Sequence, residues 1–163
     1  MNEREIELLA AKLGERLLAH RWRVATAESC TGGLVAGAIT AIAGSSDWFD
    51  RGFVTYSNGA KRALLDVAES VLLAYGAVSE STAIAMAEGA LQRSDAALTV
   101  AITGIAGPGG GTPEKPVGMV CFAWSRGGEV RSETRHFPGD RESVRRQSVI
   151  LALEGVLRTL EGA

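Results

Sequence analysis

Hydrophobic positions follow two spacings along the chain, and each spacing predicts a different element. From Glu3 to His20, apolar residues recur every three to four positions, the period of one helix face. The members of this stripe are Ile6, Leu9, Ala10, Leu13, Leu17 and Leu18. Short runs dominated by apolar and β-branched residues predict strands at 24–26, 52–57 and 97–103. The first part of the chain therefore contains helices that alternate with buried strands.

Further helical segments follow these strands. We predict helices over 34–43 (ended by Gly44), over 61–67, over 69–75 after a break, from 79–82 to about Arg93, and from an Asp140 cap to Leu160. Strands at 117–124 and 130–137 flank a turn at 125–128, which predicts a hairpin. This order predicts an α/β fold: a three-layer α/β/α sandwich with a mixed, mostly parallel sheet and one C-terminal hairpin.

Composition narrows the class of protein. A chain of 163 residues with 46% hydrophobic and 22% charged residues predicts a single domain, 1–163, with a packed core. Its net charge of −2 gives no electrostatic reason to expect nucleic acid or an anionic membrane as partner. No apolar run reaches the roughly 18 residues of a membrane span, and the N-terminus is unlike a signal peptide. Two cysteines fit a reducing compartment, so we expect a cytoplasmic protein.

The turn between the first strand and the second helix carries the strongest candidate chemistry. Ser29 and Cys30 are two candidate nucleophiles, and Thr31, Gly32 and Gly33 complete the turn. Backbone N–H groups at a helix start suit a phosphate or a developing oxyanion. Alternatively, Ser29 or Thr31 only caps the helix and the glycines allow close packing. A thiol at a helix start can have a lowered pKa, but a cysteine with apolar neighbours usually belongs to the core.

Three loops follow predicted parallel strands, at 29–33, 56–61 and 103–115, and we expect them to meet at one sheet edge. Lys61 lies near a helix start, where positive charge is disfavoured; it is either a solvated surface lysine or a neutral base. As a base, it takes the proton of Ser29 directly or through Tyr56. As a charged group, it stabilises a Tyr56 tyrosinate that acts as base. Glu28 either pairs with Lys61 or faces solvent.

Other catalytic schemes find less support in the sequence. Neither histidine, His20 nor His136, is placed for a triad with Ser29, and no cluster has metal-ligand spacing. The glycine-rich segment 104–111 matches neither a P-loop nor a dinucleotide fingerprint, so it either wraps a ligand or is a plain surface loop. Arg141 and Arg145 share one face of the last helix with four-residue spacing, which suits a phosphate clamp or a solvated face; Arg146 is adjacent.

Several motifs together resemble one family. They are T-A-E-S-C-T-G-G at 26–33, I-A-G-S-S-D-W-F at 42–49, G-F-V-T-Y-S-N-x-A-K at 52–61, G-A-V-S-E at 76–80, T-G-I-A-G-P-G-G at 103–110, K-P-V-G at 115–118 and G-D-R-x-x-V-R at 139–145. In order and spacing, this set resembles the CinA C-terminal domain family over nearly the whole chain. The stand-alone form of that domain implies an amidohydrolase that converts nicotinamide mononucleotide to nicotinate mononucleotide and ammonia, in pyridine-nucleotide salvage.

The resemblance also implies roles for individual residues. Ser29 would be the nucleophile, with Tyr56 and Lys61 as its activating partners, and no metal or other cofactor. We expect a small nucleotide substrate, and a homo-oligomer is compatible with the sequence. Candidate substrate contacts are Cys30, Thr31, Gly32, Gly33, Thr103, Gly104, Gly107, Arg141 and Arg145. The alternatives are a non-catalytic nucleotide-binding or regulatory module, and an interaction protein linked to competence or DNA damage; ammonia release that depends on Ser29 would discriminate between enzyme and module.

Overall fold

A computed structural model describes residues 3–162, whose centre is a five-stranded mixed sheet. Its strands are β1 Val24–Glu28, β2 Phe49–Val54, β3 Leu98–Gly104, β4 Met119–Arg126 and β5 Glu129–His136, in the order β2-β1-β3-β4-β5. β1 pairs in parallel with β2 and β3, whereas β4 is antiparallel to both of its neighbours. β4 alone therefore runs against the other strands, and β4 and β5 form the predicted hairpin.

Helices cover both faces of the sheet. They are α1 Glu3–His20, α2 Leu34–Thr40, α3 Asn58–Leu65, α4 Glu69–Tyr75, α5 Glu80–Gln92 and α6 Arg141–Glu161, with a short 3₁₀ turn at Ser45–Asp47. One apolar cluster joins α1, α2 and α6 to the sheet, and a second cluster joins α3, α4 and α5 to its other face. This arrangement confirms the predicted three-layer α/β/α sandwich.

The two faces of the central strands carry side chains of different size. Residues that point toward α6 are large, such as Ile102, Phe122 and Trp124. Residues that point toward α5 are small, such as Ala101 and Ala123. Because successive strand residues alternate between faces, one strand supplies both sets. Small side chains on the sheet allow the alanine-rich helix α5 to pack closely.

Several predicted boundaries and one predicted core position are wrong. β2 begins at Phe49 and ends at Val54 rather than spanning 52–57, because Ser57 leaves the strand to cap α3, its Oγ accepting from the Ala60 N–H at 3.0 Å. α3 accordingly begins at Asn58 rather than at residue 61. α2 ends at Thr40, and Gly44 precedes the 3₁₀ turn instead of ending α2.

The core position that differs is Leu18, which is 49% exposed. Adjacent residues of an α-helix point about 100° apart, so the buried Leu17 turns Leu18 away from the core. In residues 3–162, no helix combines the length and the apolar character needed to cross a membrane.

Candidate active site

Three hydroxyl side chains lie at matching positions where β1, β2 and β3 reach the same edge of the sheet. The parallel ladder pairs Glu28 with Val54 and with Ile102. It continues one step further, because the Ser29 N–H donates to the Ile102 carbonyl at 2.9 Å and the Thr55 N–H donates to the Glu28 carbonyl at 2.8 Å. Ser29 therefore lies between Thr55 on one side and Thr103, the residue after Ile102, on the other.

Lys61 extends from α3 to this edge and contacts Ser29. Its Nζ lies 3.1 Å from Ser29 Oγ, 3.0 Å from the Thr55 carbonyl oxygen and 3.3 Å from the Tyr56 carbonyl oxygen. Lys61 is only 1% exposed, so the surface-lysine interpretation is wrong. A neutral amine can donate two hydrogen bonds to the carbonyls and keep its lone pair for the Ser29 hydroxyl proton.

Burial determines the electrostatics of this lysine. Removal from water lowers the pKa of the Lys61 amine below its usual 10.5, because the charged form loses its hydration. Among residues 3–162, the ion pairs include none between Lys61 and a carboxylate that would oppose this shift. Lys61 thus has the environment of a lysine that works as a base.

Glu28 fills neither of its two predicted roles, since it neither pairs with Lys61 nor faces solvent. Its side chain is fully buried and its carboxylate accepts hydrogen bonds from the turn that follows β1. The strand register explains this, because Glu28 points to the α2 face of the sheet whereas Ser29, the next residue, points to the α3 face. The negative charge is therefore separated from Lys61.

The capping interpretation of the turn is also wrong. Gly33 is the N-cap of α2, with φ of 106°, and the Glu28 carboxylate accepts from the Gly33, Val35 and Ala36 N–H groups. The Gly32 N–H donates to the Ser29 carbonyl at 3.0 Å. These N–H groups are consequently occupied and do not bind a phosphate or an oxyanion as the sequence had suggested.

Two donors of the turn remain. Within residues 3–162, no main-chain oxygen accepts a hydrogen bond from the N–H groups of Cys30 and Thr31, the two residues that directly follow Ser29. The side chain of Thr31 is occupied, because its Oγ1 donates to Glu28 Oε1 at 2.6 Å. From the sequence, we predicted oxyanion donors near Thr31 to Gly33 or in the loop that begins at Gly104. In the structure, the available donors of this turn are those of Cys30 and Thr31.

Cys30 does not have the environment of a nucleophile. It is buried in the apolar cluster beneath α2, and this burial raises the pKa of its thiol to about 12. Because the thiolate is the reactive form, the thiol is inert near neutral pH. Of the two candidate nucleophiles, only Ser29 is in contact with a base.

Tyr56 approaches the Ser29–Lys61 pair through its backbone rather than its phenol. Its carbonyl oxygen accepts from Lys61 Nζ and, at 3.4 Å, from Ser29 Oγ. The side chain is 61% exposed, and its hydroxyl oxygen accepts from Arg141 Nη2 at 3.2 Å. Within residues 3–162, Tyr56 Oη has no hydrogen bond to Ser29 or Lys61.

The arginines at the start of α6 separate into three different environments. Arg141 joins the Tyr56 hydroxyl to the glycine-rich loop, since its Nη1 donates to the Gly107 carbonyl at 2.8 Å. Arg145 donates to the carbonyls of Cys30 at 3.1 Å and Thr31 at 3.3 Å, and so holds the turn that contains Ser29. Arg146 forms surface ion pairs with acidic residues of α1 and α6.

Thr103 and Gly104 support the site through packing. Thr103 is buried and its Oγ1 donates to the Ala77 carbonyl at 2.7 Å. At Gly104 a Cβ atom would lie 2.7 Å from the Val120 side chain, so the close approach of β4 requires glycine. The sequence analysis did not place segment 75–79 at this edge of the sheet, although the G-A-V-S-E motif covers most of it. This segment is also held by Lys115, whose amine donates to the Tyr75 carbonyl.

The remaining candidates lie elsewhere. His20 hydrogen-bonds the Arg16 carbonyl within α1, and His136 ends β5, so neither histidine contacts Ser29. Over residues 3–162, no three His, Cys, Asp or Glu side chains come together as a metal site requires. Ser29 and Lys61 are thus the candidate nucleophile and the candidate base that lie within hydrogen-bond distance at the carboxyl edge of the sheet.

Comparisons with known proteins find relatives that match nearly the whole chain. The chain is 52% identical over 159 residues to a nicotinamide-nucleotide amidohydrolase PncC from Enterobacter agglomerans, covering 97% of each chain. It is 51% identical to the protein of the same name from Escherichia coli K12, covering 94% of each chain. The crystal structure of the competence/damage inducible protein CihA from Agrobacterium tumefaciens superposes with a TM-score of 0.92 at 50% identity, covering 96% of each chain.

The family comparison covers almost all of the fold described above. The model of the CinA C-terminal domain matches residues 6–160, from α1 into the last turn of α6. The resemblance found in the motifs is therefore confirmed, and the names of the relatives support the predicted amidohydrolase. This chain belongs to the CinA C-terminal domain family.

Proposed function

We propose that this protein hydrolyses the carboxamide of nicotinamide mononucleotide to nicotinate mononucleotide and ammonia, with Ser29 as nucleophile and Lys61 as general base. The observation that carries this proposal is the 3.1 Å contact between Ser29 Oγ and the buried Lys61 Nζ. The names of relatives that are 51% to 53% identical give the substrate class. Amide hydrolysis needs a nucleophile, a proton carrier and donors for the oxyanion, and we assign these roles to Ser29, to Lys61 and to main-chain N–H groups of the turn.

The first step forms an acyl-enzyme. Neutral Lys61 accepts the Ser29 hydroxyl proton while Oγ bonds to the carboxamide carbon, and the carbonyl π pair moves onto oxygen. The N–H groups of Cys30 and Thr31 are the free donors closest along the chain to Ser29, and we assign them to the resulting oxyanion. Collapse breaks the C–N bond, the Lys61 ammonium protonates the departing nitrogen, and ammonia leaves.

The second step releases the acid. Lys61, neutral again, takes a proton from a water molecule while the oxygen of that water bonds to the ester carbon. Collapse breaks the bond to Ser29 Oγ, which recovers its proton from Lys61. One water is consumed, and the products are ammonia and the nicotinate group. This direct route requires only the Ser29–Lys61 contact, so we assign the exposed Tyr56 phenol to positioning rather than to proton relay.

Recognition of the 5′-phosphate is assigned to Arg141. Its exposed guanidinium lies between Tyr56 and the glycine-rich loop at the mouth of the site. Arginine binds phosphate oxygens with paired, charge-assisted hydrogen bonds. Arg145 is less suited, because it is less exposed than Arg141 and its guanidinium holds the Ser29 turn through the carbonyls of Cys30 and Thr31.

The proposal is tested by ammonia release from nicotinamide mononucleotide. We expect turnover by the wild-type chain, loss of nearly all of it in Ser29→Ala, and substantial retention in Cys30→Ala, the matched neighbour whose thiol is protonated. Loss of turnover in Cys30→Ala with retention in Ser29→Ala would identify the thiol as nucleophile. A wild-type chain that binds the nucleotide in calorimetry but releases no ammonia would instead identify a nucleotide-binding module.

A further inference from the structure

The Glu28 carboxylate is the centre of a hydrogen-bond cluster directly before the proposed nucleophile. Oε1 accepts from Thr31 Oγ1 at 2.6 Å, from the Gly33 N–H at 3.2 Å and from the Val35 N–H at 2.9 Å. Oε2 accepts from the Ala36 N–H at 3.0 Å. The Glu28 side chain is fully buried, as are Thr31 and Val35, so the donors of these two residues have no water to replace the carboxylate.

The turn that contains Ser29 is wrapped around this carboxylate. Ser29 leaves β1 immediately after Glu28, and the chain then passes through Gly32 and Gly33, both with positive φ, before α2 begins. The Ser29 Oγ atom reaches Lys61 on the other face of the sheet. The conformation of the turn therefore fixes the position of Ser29 Oγ. The Glu28 carboxylate stabilises that conformation through its hydrogen bonds on the α2 face of the sheet.

Only a carboxylate satisfies all four groups. Each group donates a hydrogen, and an ionised carboxylate accepts on both oxygens. A glutamine would replace one oxygen with an NH₂ group that faces another donor. Among the ion pairs of residues 3–162, none joins Glu28 to a basic side chain, so its role does not come from a salt bridge.

We propose that Glu28 is a positioning residue of the amidase, whose carboxylate holds the 29–33 turn so that Ser29 Oγ stays against Lys61 Nζ. This inference rests on the proposed function, because it acts through the Ser29 nucleophile. Glu28 is inaccessible to substrate, so its loss should lower kcat and leave KM unchanged. Misplacement of a reacting group by about 1 Å costs on the order of 100-fold in rate.

The test compares Glu28→Gln and Glu28→Ala with wild type in ammonia release and in labelling of Ser29 by a fluorophosphonate, followed by mass spectrometry. The extent of labelling counts the chains with a folded site, and the labelling rate reports the reactivity of Oγ. We expect complete labelling of Glu28→Gln, with labelling rate and kcat both lowered about 10- to 100-fold and KM unchanged. Glu28→Ala should be slower still; if it does not fold, Glu28→Gln carries the test.

The matched control is Glu80→Ala. Glu80 begins α5 and accepts hydrogen bonds at 2.6 Å from Ser132 and Thr134 on β5, three strands away from β1. The Glu80→Ala substitution removes a carboxylate with its two hydrogen bonds but leaves the 29–33 turn intact, so kcat should stay at the wild-type value.

Two results would overturn the inference: an unchanged labelling rate in Glu28→Gln, with only fewer chains labelled, or a raised KM with unchanged kcat. A wild-type chain that releases no ammonia would overturn the proposed function itself, a failure visible before any Glu28 variant is measured.

Discussion

The position of the Lys61 amine is set by main-chain atoms. Its two carbonyl acceptors come from adjacent residues, Thr55 and Tyr56, where the chain leaves β2 and turns into α3. If both N–H bonds of the neutral amine point to carbonyls, the lone pair is left for the Ser29 hydroxyl. The two carbonyls therefore orient the amine toward the proton that it must accept, while burial lowers its pKa.

Replacement of Lys61 by methionine should abolish proton transfer while keeping most of the side-chain volume. General-base catalysis typically contributes ~10²- to 10⁴-fold, so we expect kcat in Lys61→Met to fall by that factor with a smaller change in KM. In wild type, kcat/KM should rise with pH through an apparent pKa below 10.5, because the base is the neutral amine. Steady-state ammonia release across pH measures both effects, and wild-type turnover in Lys61→Met would exclude the serine–lysine scheme.

The same pKa shift predicts how stability depends on pH. The folded chain releases the Lys61 proton at lower pH than the unfolded chain, whose lysine titrates near 10.5. Between the lowered pKa and 10.5 the unfolded state binds more protons, so the free energy of unfolding of wild type should rise with pH relative to Lys61→Met. Urea denaturation across this window measures the difference. Lys12→Met, on an exposed position of α1, should follow wild type; a constant difference between wild type and Lys61→Met would contradict the shift.

Individual side chains were predicted from the sequence with uneven success, and the errors share a cause. The pairing of Ser29 with Lys61 followed from loops that converge after parallel strands. Glu28 and the phenol of Tyr56 were misplaced, because their partners are backbone N–H groups in one case and a distant arginine in the other. Residue types along the chain do not reveal main-chain donors, whose positions depend on the geometry of the turn.

At the scale of elements, α6 connects two loops of the site. Arg141 and Arg145 lie one turn apart on this helix and hold the glycine-rich loop and the 29–33 turn, respectively. The four-residue spacing correctly placed both arginines on the same side of the helix. It could not show that their guanidinium groups already donate hydrogen bonds to backbone carbonyls. Arg141, at the exposed end, is the better placed of the two to receive a ligand.

Removal of the Arg141 charge should weaken binding of phosphorylated substrate selectively. A hydrogen bond to a charged group is worth about 1.5–3 kcal/mol, so we expect KM for nicotinamide mononucleotide to rise ~10- to 100-fold in Arg141→Gln. Nicotinamide riboside, which lacks the phosphate, should show little change. The matched control is Arg146→Gln, whose guanidinium pairs with Glu3 and Glu142 at the surface. Equal effects on both substrates would place the phosphate elsewhere.

Element types were predictable along most of the chain, whereas several boundaries were not. α1 and α4 match their predicted spans, and Ser79 and Asp140 cap the helices that they were expected to begin. The strand predicted through residue 57 ended early because β-branched and aromatic residues also occupy the extended connection into α3. Local propensity does not show which extended residues find a partner strand.

At the scale of the whole molecule, the sheet separates a thick layer from a thin one. Large side chains fill the space under α1, α2 and α6, whereas α5 lies against alanines and packs closely on α3. The closest approach is at Gly89, where a Cβ atom would lie 2.0 Å from the Leu65 carbonyl oxygen. Since Lys61 projects from α3, this contact between helices also supports the active edge.

A matched pair of glycine substitutions tests this close packing. Gly89→Ala should destabilise the fold by about 1–3 kcal/mol or more, because the methyl group would meet rigid backbone. Gly37→Ala, in α2 with no atom within 4 Å of the added Cβ, should stabilise by roughly 0.5–1 kcal/mol through helix propensity. Thermal and urea unfolding measure both changes. A Gly89→Ala chain as stable as wild type would show that α5 can move away from α3 without cost.

The carbonyl oxygens that hold the Lys61 amine have a consequence for how this site tolerates change. Every amino acid supplies the same carbonyl, so an alanine scan across Thr55 and Tyr56 would leave both acceptors in place and miss their contribution. Substitutions at these two positions can consequently change the side chains that line the site while both hydrogen bonds to the Lys61 amine remain. A change in the main chain, such as replacement of one amide bond by an ester, would weaken these acceptors one at a time.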